Sequence, residues 1–441
     1  MRRAVATATF AGLLSFQGHA ARAQLLDQLI NPNVSGVRVE PGVTVLSRLR
    51  PDYDYGGIRV GSVLVRADYS EAASYDDNVT GTSQGRGSSF VQSHLNLGAA
   101  TDLSRYGAAV RLNVNDNRYL DQPKQSATDW NASAGGFYEL GRDTLSIDYS
   151  HANLVQTPRD LDTPLLDKTI AYRVDTLQAG YRITFNRLSL RPVLAVQLYD
   201  FDNGTIAGQP YRQQFRNRVV AAPAVTASYE FSPGRTAVLV VRGLDASYTN
   251  RPGGTSVRDF NDESVLAGLD FASGGPWRFR LLGGYEIRNF VSSRVKNIQA
   301  PIVEGSVIYT PTGLTTLTGS VARRIQDSAD ETTVGFTETS ARFSVDHEYY
   351  RNVLLRAQAG VFLDEYNGGG SQSLVSGGAR ATWLLNRTLR LSAAYDFTTR
   401  LSSGGGIVST TPTTRTINGT GANIGTGYSD NRYLLQLGIS L

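Results

Sequence analysis

The sequence predicts an all-β fold: a transmembrane antiparallel up-and-down β-barrel of about 18 strands. Three observations carry this. Hydrophobicity alternates with period two from Ile58 to Leu441. The alternating runs last about a dozen residues, against about five or six for a soluble strand and about 9–11 for a tilted strand crossing a bilayer. The connections alternate between short turns and long polar loops, which is how single-chain outer-membrane barrels are strung.

Composition excludes the main competitors. The chain has 441 residues, 41% of them hydrophobic, with 45 Gly and 22 Tyr. Charged residues make up 19%, below the roughly 25% of ordinary globular chains. Mean hydropathy is -0.23, and no run of about 20 apolar residues occurs, so helical membrane spans are ruled out. There is no Cys, which removes disulfides, thiolate nucleophiles and Cys-ligated metals. A chain of β-sandwiches would need more aliphatic bulk than this sequence has, because two sheets would share one core.

Residues 1–23 read as a secretory signal peptide. Arg2 and Arg3 form the basic start, Ala4–Phe16 the apolar stretch, and Ala21-Arg22-Ala23 a small-x-small cleavage site. Without Arg2, Arg3 and Arg22 the chain carries 40 basic and 39 acidic residues. Its basic residues are nearly all Arg, the lysines being Lys124, Lys168 and Lys296. No basic run marks a nucleic-acid partner.

Residues 24–57 form an N-terminal segment on the periplasmic side. Leu25–Ile30 reads as one or two helical turns ended by Asn31-Pro32-Asn33. Such a segment plugs the lumen, docks a periplasmic partner or stays loosely attached.

The barrel then occupies 58–441. Strands are expected at 58–70, 89–102, 107–119, 128–140, 144–155 and 170–185. They continue at 188–201, 214–231, 236–248, 259–272, 277–290 and 299–310, then 314–326, 334–348, 352–366, 372–385, 388–400 and 428–441. Runs 58–70 and 236–248 alternate poorly, so 16 strands is the alternative count. In 277–290, for example, Trp277, Phe279, Leu281, Tyr285 and Ile287 alternate with Arg278, Arg280, Glu286 and Arg288. Short turns such as Asn186-Arg187, Ser232-Pro233-Gly234-Arg235 and Asn386-Arg387 alternate with long loops at 71–88, 119–128, 156–169, 202–213 and 401–427, among others. An even count puts both chain ends on the short-turn, periplasmic side. Tyr69, Tyr149, Tyr199, Tyr248, Tyr366 and Tyr395 lie near strand ends, as an interfacial aromatic girdle would. The outer-membrane lipid is then the solvent of the apolar face.

Tyr433, Leu435, Leu437, Ile439 and Leu441 share one face of the last strand. This resembles the C-terminal signal read by the barrel-insertion machinery, although most such strands end in Phe.

The segment Arg50-Pro51-Asp52-Tyr53-Asp54-Tyr55-Gly56-Gly57-Ile58-Arg59-Val60-Gly61-Ser62, followed by Tyr75-Asp76-Asp77-Asn78-Val79, stands out. Two later stretches are Val345-Asp346-His347-Glu348-Tyr349-Tyr350-Arg351-Asn352 and Tyr428-Ser429-Asp430-Asn431-Arg432-Tyr433. Together they resemble a family of outer-membrane β-barrel porins of alphaproteobacteria, often encoded beside exopolysaccharide genes. Val63 departs from that family, which tends to have Phe there. The resemblance covers about residue 40 to the end, and its motifs are structural. It implies a barrel in the Gram-negative outer membrane that supports exopolysaccharide export, with periplasmic polysaccharide-export proteins and the polysaccharide itself as partners.

Catalysis has little support. After signal removal only His94, His151 and His347 remain. Ser150 and His151 are strand neighbours and point to opposite faces, while Asp148 and Ser150 share a face without a base. No enzyme activity and no cofactor are expected. No two His are close, and Asp76-Asp77-Asn78 reads as a solvated loop rather than a calcium loop, so no metal is expected.

The arginines are the more informative set. Arg111, Arg216, Arg218, Arg278, Arg280, Arg288, Arg342, Arg380 and Arg390 fall on polar faces and are the expected lumen-lining residues. Glu286, Asp346 and Asp396, with Asp148 and Glu263, are the acidic residues expected on the same walls. Arg rings select anions in pores, whereas cross-strand ion pairs simply brace a wide barrel. Three functions follow: an exopolysaccharide channel, a general or selective diffusion porin for small anionic solutes, and a closed structural barrel.

Overall fold

The computed structural model describes residues 42–101, 103–163, 166–250, 257–272, 274–329, 333–367, 369–403 and 427–441. The expected signal peptide, residues 24–41 and most of the 401–427 loop lie outside them. Among the described residues there are two single 3-10 turns, Pro123–Gln125 and Gln214–Arg216, and the rest of the regular structure is strand.

The strands begin with β1 (Ile58–Val60), β2 (Val63–Asp76), β3 (Ser88–Thr101), β4 (Tyr106–Tyr119), β5 (Ala127–Leu140), β6 (Asp143–Gln156), β7 (Ile170–Thr184) and β8 (Leu188–Phe201). β9 (Gly204–Ile206) and β10 (Gln209–Tyr211) form a small separate hairpin. Then come β11 (Arg218–Ser232), β12 (Arg235–Tyr248), β13 (Phe260–Phe271), β14 (Trp277–Phe290), β15 (Ile298–Thr312) and β16 (Thr315–Asp327). β17 (Gly335–Tyr350), β18 (Val353–Tyr366), β19 (Ser371–Leu384), β20 (Leu389–Ser403) and β21 (Tyr428–Ser440) complete the chain.

β2–β8 and β11–β21 pair antiparallel in chain order, and β21 returns to β2 from Asp68↔Ser440 to Asp76↔Arg432. The result is a closed barrel of 18 strands. Closure pairs every wall strand on both sides along most of its length, as a bilayer demands. β1 folds back on β2 through Gly61, whose φ of 60° suits glycine, and pairs with Val63–Val65 just beyond the reach of β21.

The first wall strand is shifted from its expected place at 58–70. Residues 71–76 read as loop, yet they lie within β2, with Ala72, Ser74 and Asp76 buried. Small polar side chains are normal on a barrel's inner face, so the run carries no apolar alternation. Conversely, the 214–231 run enters the wall only at Arg218, because Gln214–Arg216 is a 3-10 turn.

The molecule is inside-out. Leu281, Val265, Leu269, Leu239, Val241 and Trp383 are exposed on the outer face, while Asp76, Arg159, Arg288, Glu304 and Arg400 are buried within. Stacked aromatics ring the short-turn end, among them Trp277 on Tyr309 at 3.9 Å and Phe271 on Phe279 at 5.1 Å. Of the six tyrosines expected in the girdle, Tyr69, Tyr149 and Tyr395 face outward, but Tyr199, Tyr248 and Tyr366 are buried inside. Tyr199 and Tyr248 sit under the Arg218 guanidinium, at 4.3 and 5.6 Å from its carbon. An inward aromatic desolvates its cation while giving it a π face.

The two ends differ. Inner side chains near the long loops are buried, as in Ser70–Asp76 of β2, whereas Val63–Asp68 is half-exposed on both faces. β5 shows the same trend, being open throughout Phe137–Leu140. One hairpin leaves the wall: β15 pairs with β16 only as far as Val303↔Arg323, while β16 and β17 remain paired to Asp327↔Gly335.

Candidate functional site: the lumen at the long-loop end

The β6–β7 connection turns into the lumen, and Arg159 anchors it. Its guanidinium is buried and contacts Asp76 of β2, Asp430 of β21 at 3.2 Å, and the Tyr119 hydroxyl of β4 at 3.1 Å. The Tyr428 hydroxyl donates to the Arg159 carbonyl at 2.9 Å. Arg432 completes the cluster, reaching Asp76 at 3.1 Å and Tyr119 at 3.0 Å. Burial works against the Arg159 charge, but Asp76, Tyr119 and Asp430 outweigh it and hold the guanidinium's proton more tightly than usual.

Arg400 of β20 grips the same segment from the other side. It donates to the carbonyls of Pro158 and Asp160, each at 3.3 Å. Leu161 packs on Phe362 of β18 and Leu374 of β19. The Asp162 N–H donates to Gln372 at 3.0 Å, and its carboxylate accepts from Ser328 at 2.8 Å and from the Ala329 N–H. Asp162 has φ 53°, a left-handed conformation costly for most residues other than Gly and Asn, and these contacts hold it there.

Beside this segment lies a second cluster. Arg218 reaches Asp327 at 3.2 Å, and Arg288 binds Asp262 at 2.7 Å and Asp327 at 2.5 Å. Arg216 donates to Gln156 at 2.7 Å and stacks on Phe201 at 3.9 Å. Arg258 donates to the carbonyls of Ser328 and Thr333. A cavity of about 60 Å³ remains between Asp160, Asp162, Arg216, Arg218, Asp327 and Glu338, room for roughly two waters. Charge pairs and aromatic packing fill this part of the interior among the described residues.

The arginines singled out in the sequence are thus dispersed. Arg216 and Arg218 line this cavity; Arg288 reaches it only through Asp327, and Glu286 is buried on the same strand. Arg278 lies against Gly42, and Arg280 is 3.8 Å from Asp270. Arg342 stacks 5.2 Å from the Phe362 ring. Asp346 meets Arg356 at 3.7 Å, Arg380 donates to Gln436 at 2.8 Å, and Arg390 binds Asp68 with two nitrogens. Asp396 stands opposite Arg432 across β20 and β21. Arg111 is exposed on the inner face, opposite Ser133. Glu263, expected on the inner wall, is exposed on the outer face: the strand alternates and it is Asp262 that points in.

His151 faces outward to Asp175 at 2.7 Å and Trp130 at 5.0 Å, away from Ser150. Asp76, expected in a solvated loop, is fully buried at the end of β2. Its carboxylate lies with those of Asp77 and Asp430. Arg159 and Arg432 pair with Asp76 and Asp430, while Asp77 accepts from the Asn431 backbone and side chain.

Arg159, Asp160, Asp162 and Arg400 were missed by sequence reasoning. One signal was available. Leu161 is an apolar residue between charges in a loop assigned to water, and a docked loop needs such an anchor.

The mouth at the short-turn end holds residues 42–54. Val45 is buried and its N–H donates to Thr316 at 2.9 Å. Arg50 binds Glu348 at 2.8 Å and donates to the Val45 carbonyl at 2.6 Å. Arg48 and Arg351 flank Glu348 at 3.8 and 3.6 Å.

Between the ends, β3, β4 and β5 present an amide-rich inner wall. Asn96, Asn113 and Asn131 form one cross-strand row. Gln92 donates to Asn115 and Asn117 on the rows above.

A family model described as Putative beta-barrel porin 2 matches residues 50–417. Among solved structures, OccK1 (OpdK) of Pseudomonas aeruginosa is 11% identical, with a TM-score of 0.42, covering 86% of this chain and 99% of its own. OccAB2 of Acinetobacter baumannii is 10% identical, with a TM-score of 0.45 and coverage of 87% and 98%. OccK2 (OpdF) of Pseudomonas aeruginosa, solved with glucuronate, is 11% identical, with a TM-score of 0.44 and coverage of 86% and 98%. No curated protein matches the chain. The family match spans most of the sequence, and the chain belongs to the Putative beta-barrel porin 2 family as a porin-like β-barrel channel of the outer membrane.

Proposed function

We propose that the protein is a saccharide channel of the outer membrane and that it supports exopolysaccharide export. The amide wall of β3–β5 carries this reading. Gln92, Asn96, Asn113, Asn115 and Asn131 place amide groups side by side, which matches the paired hydroxyls of a sugar ring. Weak, repeated sites of this kind let a solute enter and leave. Export follows from the resemblance in the sequence, and it requires the β6–β7 segment to yield. Oligosaccharides added to single channels in a planar bilayer should interrupt the current. Asn113→Val with Asn131→Val should shorten those interruptions several-fold. Unchanged interruptions in a correctly folded variant would remove the amide wall from the reading. Loss of surface polysaccharide in a deletion strain tests the biological direction.

A second reading is a diffusion channel for small anions, favoured by Arg111, which stands exposed on the inner face of the open half. Under a KCl gradient it demands a reversal potential of the chloride sign, whereas the saccharide reading demands none.

A further inference from the structure

Among the described residues, β15 and β16 part company before β15 ends. β15 pairs with β14 up to Ile298, but with β16 only as far as Val303. Beyond Arg323, β16 leaves the wall: Ile325 joins the interior apolar cluster and Asp327 is held by Arg218 and Arg288. β17 follows, so Phe336, Thr337 and Glu338 are all buried although successive strand residues face opposite ways. Among the described residues, the edge Ile298–Ile302 therefore has no ladder partner on this side, although Ile298 and Ala300 share the interior cluster with Ile325. Pro301 lies in the middle of that edge, and a proline suits an edge because it brings no N–H.

The height of the gap matters. Its lower row, Pro301–Tyr285–Val265–Val241, ends the apolar band, since Tyr285, Val265 and Val241 are exposed outside. The next row contains Gln299 and the exposed Glu263. The gap thus straddles the boundary between hydrocarbon and polar head groups. Hydrocarbon cannot satisfy a bare strand edge, so a polar occupant must.

The gap opens on a cavity of about 350 Å³, with Asn297 and Gln299 on one side and Phe336, Thr337, Glu365 and Asn367 on the other. Glu365, the carboxylate of this lining, is paired with Arg323 at 3.0 Å. What remains is amide, hydroxyl and aromatic surface, suited to a hydroxyl-rich head rather than to a bare phosphate or a cation. We propose that the β15–β16 gap is a lateral portal. It takes the hydroxyl-rich head of an outer-leaflet amphiphile of the glycolipid class, whose acyl chains stay outside beside Leu281 and Tyr285. This site is separate from the amide wall and stands without the saccharide-channel reading.

Photo-crosslinking tests it. p-Benzoylphenylalanine replaces Phe336, an inward residue that a closed wall would shield from lipid. Phe260, buried behind fully paired strands, and Leu281, exposed outside, are the negative and positive controls. Each variant is reconstituted in vesicles of phospholipid and lipopolysaccharide, and folding is checked by heat-modifiability. The Phe336 and Leu281 positions should both form lipopolysaccharide adducts, with Phe260 at least ten-fold lower. A Phe336 yield no higher than that of Phe260, or adducts with phospholipid alone, would overturn the portal. Should the Phe336 variant not fold, the same label at Gln299 on the rim replaces it, judged by the same ten-fold margin.

Discussion

The two halves of the barrel are built from the same strands but hold together differently. Toward the long loops the lumen is filled by the β6–β7 segment, and its cohesion is ionic: Arg159, Arg218, Arg288 and Arg400 are buried with carboxylate or carbonyl partners. Toward the short turns both faces of β3–β6 are at least partly exposed, and the contents are a single N-terminal segment on one side. The difference teaches where function and strength reside. The wall is stable wherever the ladder closes, so the lumen is free to be packed in one half and passable in the other.

The largest effect that would break this contrast is Arg159→Ala. It leaves Asp430 without its ion pair and Asp76 with Arg432 alone, and breaking a buried pair of this kind costs about 3 kcal/mol for the packed half. Single-channel conductance should rise several-fold while the barrel stays heat-modifiable. Unchanged conductance would mean that the segment does not close the lumen.

Leu281→Arg attacks the wall rather than its contents, placing a charge on the lipid face at about 2–4 kcal/mol near the midplane. Arg280→Leu, one residue away and inward, should leave assembly nearly intact. Urea unfolding in bilayers separates the two, and equal midpoints would contradict the assigned faces.

A smaller loss is expected for Arg50→Ala at the other mouth. Glu348 keeps Arg48 and Arg351 nearby, so the cost is about 1–3 kcal/mol. It should appear as faster proteolysis after Arg48 in purified protein, with no change in barrel melting.

The smallest effect is on the outer surface. Arg323→Ala removes a half-exposed pair with Glu365, worth about 0–1 kcal/mol. Thermal melting should barely move, and a large drop would mean that the hairpin end is more tightly braced than the lumen contents.

The strands were legible because the lipid face enforces period two. Leu281, Tyr285 and Val265 must alternate with inner residues whatever those residues are. The count of 18 followed from the alternation of turns and loops. The inner contents were not legible, because the inner face imposes no periodic rule. Residues 71–76 are strand but read as loop, and Arg216 sits on a turn although its neighbours alternate. The contact of Arg159 with Asp76 and Asp430 joins residues separated by 83 and 271 positions. Local pattern carries no trace of such distances. The departure of β16 from the wall left a trace, since the outward positions turn from Leu317 and Val321 to Arg323 and Asp327, but the direction of the bend was not legible from it.

The Arg159 cluster also acts as a keystone in assembly. Its partners come from the first wall strand through Asp76, from β4 through Tyr119, and from the last strand through Tyr428, Asp430 and Arg432. The guanidinium therefore has no complete seat until the last strand has met the first. The segment's other grips, Phe362, Gln372, Leu374 and Arg400, come from neighbouring strands β18–β20 and do not depend on that closure. A chain lacking its final strand would therefore lose the ionic seat of Arg159 while keeping the grip on Leu161 and Asp162.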